Sequence, residues 1–517
     1  MQTAFLVLNT IAFILLYSIM ALKYMHMFQL NSYKPKVQLK WLWNNKKSFI
    51  YHIILLIATI CVCLLLKENV FCIAVFCFIL IGLPLNRIKK AKKPLVFTNR
   101  VKRMLITECI IIALITALSI VFAQRNTNYI IYACVLALSP FMLLLSNAVN
   151  QPLEKSINRH YINDAKNMIK DHKNLTVIGV TGSYGKTSVK FILGTLLEAK
   201  FNVLITPESY NTTLGVVKTI RTSLRATHDV FVCEMGAKNV GDIKEICDIA
   251  LPQNGIITSI GPQHLESFKS LDNIKKTKFE LADALPSHGI LMLNGEDENI
   301  ADYCGKYNYK KYGFSEDCDY FATNLSVSSN GTSFTVNHNG EQADFTTVLI
   351  GRHNVINLLG AIAMCCEMGI KLSDLKPYVR KVAPVEHRLQ LMNRGNTTVI
   401  DDAYNSNPAG AKAALDVLSL FDGYKILITP GMVELGERQD KENYIFGCNA
   451  AKVCDFVALV GTAQTKSIYK GLVESGFDKD KIFVTDSLNE ASSVAFNMNT
   501  DCTKRVVLFE NDLPDNY

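Results

Sequence analysis

The chain has 517 residues and a net charge of +8, long enough for about three domains, and its positive mean hydropathy argues against a wholly soluble protein. The basic excess is local, because lysines and arginines crowd between apolar stretches of the first third; it does not form the basic face that nucleic-acid binding requires, so no nucleic-acid partner is expected. The fifteen cysteines include no Cys-x-x-Cys pair with metal spacing and often lie in apolar runs, which argues against a disulfide framework and for a reducing compartment.

Residues 1–149 read as a membrane region. Apolar stretches occur at Phe5–Leu22, Ile50–Leu66, Val70–Leu85, Leu105–Ala123 and Tyr129–Val149. A spanning helix needs about 20 such residues, so the short third stretch would pair with the second as a hairpin. The expectation is about five spans. Lys34, Lys36, Lys40, Lys46 and Lys47 follow the first stretch, and Arg87 to Arg103 supplies a second basic cluster after the third. The alternate connections are nearly bare. Positive charge stays inside, which puts the N-terminus outside, the remainder after the fifth span in the cytoplasm, and the protein in the cell membrane as a multi-pass chain against lipid. Trp41 and Trp43 read as interfacial anchors. No buried charge pathway is expected within the spans, which leaves a transporter reading without support.

Residues 150–174 read as a polar helical connector. From Thr176 strands and helices alternate. Strands are expected at Thr176–Val180, Val203–Thr206, Val230–Glu234, Gly255–Ile260 and Ile290–Leu293, with helices at Ser188–Ala199, Thr213–Leu224, Asp242–Ile249 and Ile274–Ala284. This is the pattern of a doubly wound, mostly parallel α/β sheet. Residues 318–350 alternate at period two around Asn330-Gly331 and Asn339-Gly340, a hairpin edge. A second α/β unit is expected from Gly351, with strands Thr397–Ile400, Lys425–Thr429, Phe456–Val460 and Val506–Leu508 and helices Ala409–Leu420 and Asn443–Ala451. The expected organisation is therefore a helical membrane region, a P-loop domain over 175–350, and a Rossmann-like α/β domain over 351–517.

The chemistry begins at Val177–Ser188, VIGVTGSYGKTS. An apolar strand runs into a glycine-bearing turn, Lys-Thr and a helix. That order holds a triphosphate: loop N–H groups turn inward, the helix N-terminus adds partial positive charge, and Lys186 reaches the outer phosphates. Thr181, Gly182, Ser183, Gly185, Lys186, Thr187 and Ser188 form the cradle, and Thr187 can offer its hydroxyl to Mg²⁺. The strict P-loop glycine is missing, because Val180 stands five positions before Gly185. Glu234 ends an apolar strand, where a second Mg²⁺ ligand is expected; alone it reads equally as a capping or solvated acid. Alone, His264 reads as a loop histidine and Lys278 as a solvated helix lysine. Asp401-Asp402-Ala403-Tyr404-Asn405-Ser406-Asn407-Pro408 suggests a polar site, though Asn-Pro is also a turn signal.

These residues resemble the Mur ligases, ATP-dependent amide-forming enzymes of peptidoglycan precursor synthesis, and within them the type that adds D-alanyl-D-alanine to the muramoyl tripeptide. The resemblance runs through residues 176–436: the Thr181–Ser188 loop; Thr206 and Asn211–Gly215; Glu234-Met-Gly-Ala; His264-Leu-Glu; Lys278-Phe-Glu280; Leu293–Asp297; Gly351–Asn357; His387-Arg388-Leu; Asp401–Pro408; and Gly431–Gly436. The family loop reads TGxxGKT, which accounts for the missing glycine. The resemblance implies ATP and two Mg²⁺ sites, Thr187 and Glu234 at one, His264 and a carbamylated Lys278 at the other. It implies Asn354 and Asn357 at the adenine, Arg388 and Asp402 at phosphates and ribose, and Asn211 on the acceptor side, with Tyr404 and Asn405 as further substrate residues. Lys186, His264, Lys278 and Arg388 are the implied catalytic set. The implied reaction phosphorylates a substrate carboxylate and lets an amine displace phosphate. The implied partners are a cell-envelope precursor with a free carboxylate and an amine donor.

Two departures bear on the substrate. Membrane spans stand where family members carry a domain for the UDP end of their substrate. The chain ends in an acidic tail, Glu510-Asn-Asp512-Leu-Pro-Asp515, where the D-alanyl-D-alanine type has a Lys-Gly-Ser-like stretch. A polyglutamate-type ligase and a non-catalytic nucleotide-binding membrane scaffold are the alternatives; the second-metal residues argue against the scaffold.

Overall fold

A computed structural model describes residues 2–45, 50, 53–54, 56–61, 94–122, 125–301, 303, 305, 307–404, 407–433, 435–498 and 504–512. It divides the chain into two compact units, Met1–Arg159 and His160–Leu513.

The first unit is helical: α1 (Gln2–Leu30), α2 (Pro35–Asn44), α3 (Asn99–Phe122), α4 (Arg125–Ala137) and α5 (Ser139–Asp171), which continues into the second unit. Phe13, Tyr24 and Phe28 of α1 pack with Met104 and Ile112 of α3 and Tyr129 and Tyr132 of α4. The opposite side of α3 exposes Ile106, Ile110, Leu114 and Leu118 at every fourth position. Apolar residues facing outward at helical spacing suit lipid, not water. Among the described residues, Leu6–Leu30 and Asn99–Phe122 are long and apolar enough to cross a membrane. The fifth apolar stretch is not one straight span, since the helices meet at an angle of 73°. Pro140 explains the break: it has no N–H to carry the preceding helix on, but is tolerated in the first turn of a new one. A new helix starts there, with the Phe141 and Met142 amides bonding back to Leu138 O. Helix α3 also buries one ionisable side chain, Glu108. The third stretch, and residues 51–52, 55 and 62–66 of the second, lie outside the described residues.

The second unit contains two sheets. The first has nine strands: β1 (Thr176–Thr181), β2 (Val203–Ile205), β3 (Val230–Glu234), β4 (Asn254–Ile257), β5 (Leu291–Asn294), β6 (Tyr309–Gly313), β7 (Tyr320–Ser328), β8 (Gly331–His338) and β9 (Glu341–Thr347). Their order is β2-β3-β1-β4-β5-β6-β7-β8-β9. Pairing is parallel as far as β7 and antiparallel through β8 and β9. Between the strands run α6 (Lys186–Leu197), α7 (Thr213–Ser223), α8 (Asp242–Ala250), α9 (Leu265–Phe268) and α10 (Leu271–Ala284).

Burial on both faces explains the continuous β-branched runs. Ile178, Val180, Val230 and Val232 face α6, whereas Val177, Phe231 and Cys233 face α7 and α8. The Asn339-Gly340 turn has both residues at positive φ, as a tight two-residue hairpin demands. A third layer joins the α6 side: α11 (Arg352–Glu367) buries Val355, Leu358, Leu359 and Ile362 in the same core. Although a second unit was expected from Gly351, the chain after it therefore still belongs to the first sheet.

After α12 (Lys376–Lys381), the second sheet comprises β10 (Gln390–Arg394), β11 (Thr397–Asp402), β12 (Tyr424–Thr429), β13 (Phe456–Val460), β14 (Ile482–Thr485) and β15 (Arg505–Glu510). The order is β10-β11-β15-β12-β13-β14, parallel except for β10. Its helices are α13 (Pro408–Ser419), α14 (Gln439–Ala450), α15 (Lys466–Glu474) and α16 (Leu488–Asn497). Leu415, Leu418, Leu427, Leu459, Leu472 and Leu508 form its core.

Candidate active site

Strand β1 stops at Thr181, and the chain turns through Gly182 and Gly185 into α6. Gly185 sits at φ +79°, left-handed, immediately before the first helical residue. A Cβ on Gly182 would meet Thr258 Oγ1 at 2.1 Å and the Ser259 amide at 2.9 Å. Side chains from the end of β4 clamp the loop: the Tyr184 amide donates to Ser259 Oγ at 2.7 Å, and Thr258 Oγ1 donates to Thr181 O and Tyr184 O. This is why β4 ends at Ile257, three residues earlier than expected. Thr181 lies behind the loop, with its hydroxyl on Met235 O at 2.8 Å.

The first turn of α6 carries Lys186 and Thr187 toward the C-terminal end of β3. Thr187 Oγ1 donates to Glu234 Oε1 at 3.1 Å, and Asn211 Nδ2 donates to the same oxygen at 2.9 Å. Glu234 Oε2 lies 3.0 Å from Lys190 Nζ, and both side chains are wholly buried. Burial pushes the Glu234 carboxyl up, but Lys190, Asn211 and Lys186 outweigh it and hold it below the ordinary glutamate range. Lys186 Nζ donates to Gly182 O at 2.6 Å and to Ser183 O at 2.9 Å. Burial lowers its ammonium to about 8, against the opposing pull of Glu234.

A cleft of about 400 Å³ opens over the loop. The first sheet contributes Ser183 to Ser188, Asn354 and Asn357; the polypeptide of the second contributes Arg388, Asp402 and Asn407. Asn357 Oδ1 stands 2.7 Å from where a Gly185 Cβ would lie. Asn354 bonds to Ile350 O at 2.9 Å. Arg388 stacks on Tyr404, with its guanidinium carbon 4.5 Å from the ring centre. Its backbone is fixed by left-handed residues on either side, His387 and Leu389. Asp402 Oδ1 accepts from the Leu389 amide at 3.2 Å. Burial raises the Asp402 carboxyl to about 6, in spite of that amide and Arg388.

Comparison with known proteins agrees with this arrangement. Residues 180–365 match the Mur ligase middle domain, and residues 387–509 match the Mur ligase glutamate ligase domain. The chain belongs to the Mur ligase family. Among curated Mur ligases it is 33% identical over 271 residues to the UDP-N-acetylmuramoyl-tripeptide--D-alanyl-D-alanine ligase of Escherichia coli, covering 51% of this chain and 59% of that one. It is 32% identical to the ligase of that name from Mycobacterium bovis, covering 58% and 62%. The chain thus spans about three-fifths of the length of these relatives. Among solved structures, MurF from Acinetobacter baumannii superposes with a TM-score of 0.63 at 25% identity, covering 69% of this chain and 77% of that one. MurF from Thermotoga maritima, solved with ADP, shares the fold at a TM-score of 0.61 and 24% identity, covering 69% and 80%.

Two further expected Mur ligase site residues, His264 and Lys278, are not among those lining the cleft. His264 immediately precedes the short helix α9, at φ +52°, and does not line the cleft. Lys278 is buried in α10; burial drives its amine well below the ordinary lysine range, with the Lys186 charge adding to the effect. Asn405 lies outside the described residues. Among those described, no group of three or more His, Cys, Asp or Glu side chains gathers to hold a metal. The hydroxyl of Thr187 and the carboxylate of Glu234 nevertheless fit Mg²⁺, which takes one or two protein oxygens beside phosphates and water. The sequence reading missed Lys190, whose only local signal is its position one helical turn after Lys186. It also missed His353, half-buried at the cleft wall, with its imidazolium lowered to about 4 by desolvation.

Proposed function

We propose that this chain is a membrane-anchored, ATP-dependent carboxylate–amine ligase acting on a peptidoglycan precursor, of the kind its D-alanyl-D-alanine-adding relatives are named for. The observation that carries this reading is the shared cleft. A phosphate loop from one sheet faces Arg388 and Asp402 from the next, so closing the two brings cations around a transferring phosphoryl group and excludes water.

A carboxylate is a poor electrophile at neutral pH and needs a leaving group. In the proposed reaction a substrate carboxylate oxygen attacks the γ-phosphorus of ATP, and ADP departs. The amine nitrogen then attacks the acyl carbon; the C–N bond forms, the C–O bond breaks, phosphate leaves with that oxygen, and the nitrogen releases one proton to solvent. The loop amides and Lys186 hold the β- and γ-phosphates. Arg388 neutralises charge on the moving phosphoryl, and Asp402 receives the ribose. Asn354 and Asn357 line the nucleotide side, while Asn211, Tyr404 and Asn405 are assigned to substrate. Bound Mg²⁺ at Thr187 and Glu234 would offset phosphate charge. Lys278 joins a second site with His264 only once it carries oxygen ligands, and a buried amine driven well below the ordinary lysine range suits addition to CO₂ as a carbamate.

The two candidate spans support anchoring to the cell membrane; a cytoplasmic ligase unit with the N-terminus outside needs an odd number of crossings, as the charge pattern of five apolar stretches requires. Phosphate release and product mass should be measured on purified protein with ATP and carboxylate–amine pairs, beginning with muramoyl tripeptide and D-alanyl-D-alanine. Product is expected from one such pair and its loss in Lys186→Ala. Nucleotide binding without turnover on any pair would overturn the reading. For Lys278→Ala, acetate or formate should restore activity by replacing the carbamate; failure of both removes that role.

A further inference from the structure

Lys190 takes no part in the reaction as derived, yet it is among the largest fully buried side chains in the molecule. Burying an ammonium is costly unless its partners are fixed, so its surroundings are informative. Its ammonium meets Glu234 Oε2 at 3.0 Å and donates to the backbone carbonyl of Glu208. Glu208 is held in left-handed backbone at φ +43°, inside the turn that leads from β2 to Asn211. That turn reaches back to Glu234 by separate routes. Thr206 Oγ1 accepts from the Glu234 amide at 3.1 Å, Asn211 Nδ2 donates to Glu234 Oε1 at 2.9 Å, and Asn211 O accepts from the Gly236 amide at 2.7 Å.

We propose that Lys190 is a positioning residue: it fixes one oxygen of Glu234 and the 207–211 turn together, so that Oε1 alone is presented beside Thr187 for a divalent cation. The inference rests on the ligase reading, because Glu234 takes its cation-binding task from it. The Thr187 hydroxyl and the Asn211 amide fix where Oε1 points, and Lys190 fixes Oε2. With Lys190 removed, Oε2 loses its cation and the turn loses one of its anchors, so the carboxylate is held through Oε1 alone.

The geometry separates this role from a simple charge effect. A cation beside a metal site repels the metal, so a Lys190 that acted only through charge would bind metal more tightly once removed. Positioning has the opposite sign. The test uses the full-length protein with ADP and Mn²⁺ in place of Mg²⁺, with bound Mn²⁺ read by electron paramagnetic resonance. Lys190→Met is expected to weaken Mn²⁺ binding at least about tenfold while leaving ADP affinity without metal within about twofold. Lys190→Arg should recover part of the loss. Unchanged or tighter Mn²⁺ binding in Lys190→Met overturns the proposal. If that variant fails to fold, Lys190→Gln, which keeps a donor for the Glu208 carbonyl, carries the same criterion. Absence of turnover by the wild-type chain would count against the ligase reading, while the Mn²⁺ measurement still decides Lys190.

Discussion

Asp402 shows how this site trades stability for chemistry. Its carboxyl is held at about 6, above its ordinary 3.8, mainly by burial. The folded state therefore favours the proton more than the unfolded chain does. The favourable contribution is complete below pH 3.8 and lost as pH rises through about 6, so at neutral pH the charged group is a cost. Asp402→Asn keeps the acceptor for the Leu389 amide and should stabilise the ligase unit by roughly 1–3 kcal/mol at pH 8, with no gain near pH 3.5. Denaturant unfolding at the two pH values checks this; an equal effect at both would refute the burial argument. The same substitution should lower turnover, a common consequence of relaxing a strained functional group. Lys186 and Thr187 were legible because loop, cation and helix start lie within a few residues of one another. Glu234 was half legible, as an acid at a strand end. Lys190 was not, because a lysine in an amphipathic helix ordinarily faces water and only the fold reveals that this one points at Glu234.

Among elements, the phosphate loop tolerates least. Gly182→Ala would place a methyl 2.1 Å from Thr258 Oγ1, with backbone behind it, and should cost roughly 1–3 kcal/mol of stability together with most nucleotide affinity, measurable by calorimetry with ADP. The helix α11 offers a second test. Leu358 is fully buried against the first sheet, so Leu358→Ala should destabilise the unit by about 2–5 kcal/mol; a surface-like effect below about 0.5 kcal/mol would separate α11 from that core. Strands with continuous β-branched runs were legible at once. Strand β6 was not, because its Tyr309-Lys310-Lys311-Tyr312 carries two lysines. In the fold Lys310 pairs with Glu367, distant in sequence, at 2.7 Å, and Lys311 reaches Ala301 O in the preceding loop. Strands β10 and β14 escaped because they are short edge strands, half-covered, with no clean alternation.

At the scale of the whole molecule, composition separates what the fold separates. The apolar third and the α/β remainder correspond to two compact units, and the matched family domains begin only at residue 180. The full chain should sediment with membranes and resist alkaline carbonate, whereas a chain beginning at His160 should stay soluble and bind ADP. Soluble behaviour of the full chain after carbonate would remove the anchor. Periodicity and charge revealed candidate spans but not the bend at Pro140, because one proline near the middle of an apolar run leaves its hydropathy almost unchanged.

The fold-back of Lys186 onto Gly182 O and Ser183 O sets a threshold for occupancy. Any anion entering the loop must draw the ammonium away from two carbonyls that already satisfy it. A single weakly charged group gains too little to do so, whereas a chain of phosphates spreads several charges along loop and helix and recovers more than it displaces. The loop is therefore expected to select by strength of field rather than by shape, leaving small, weakly charged anions outside it.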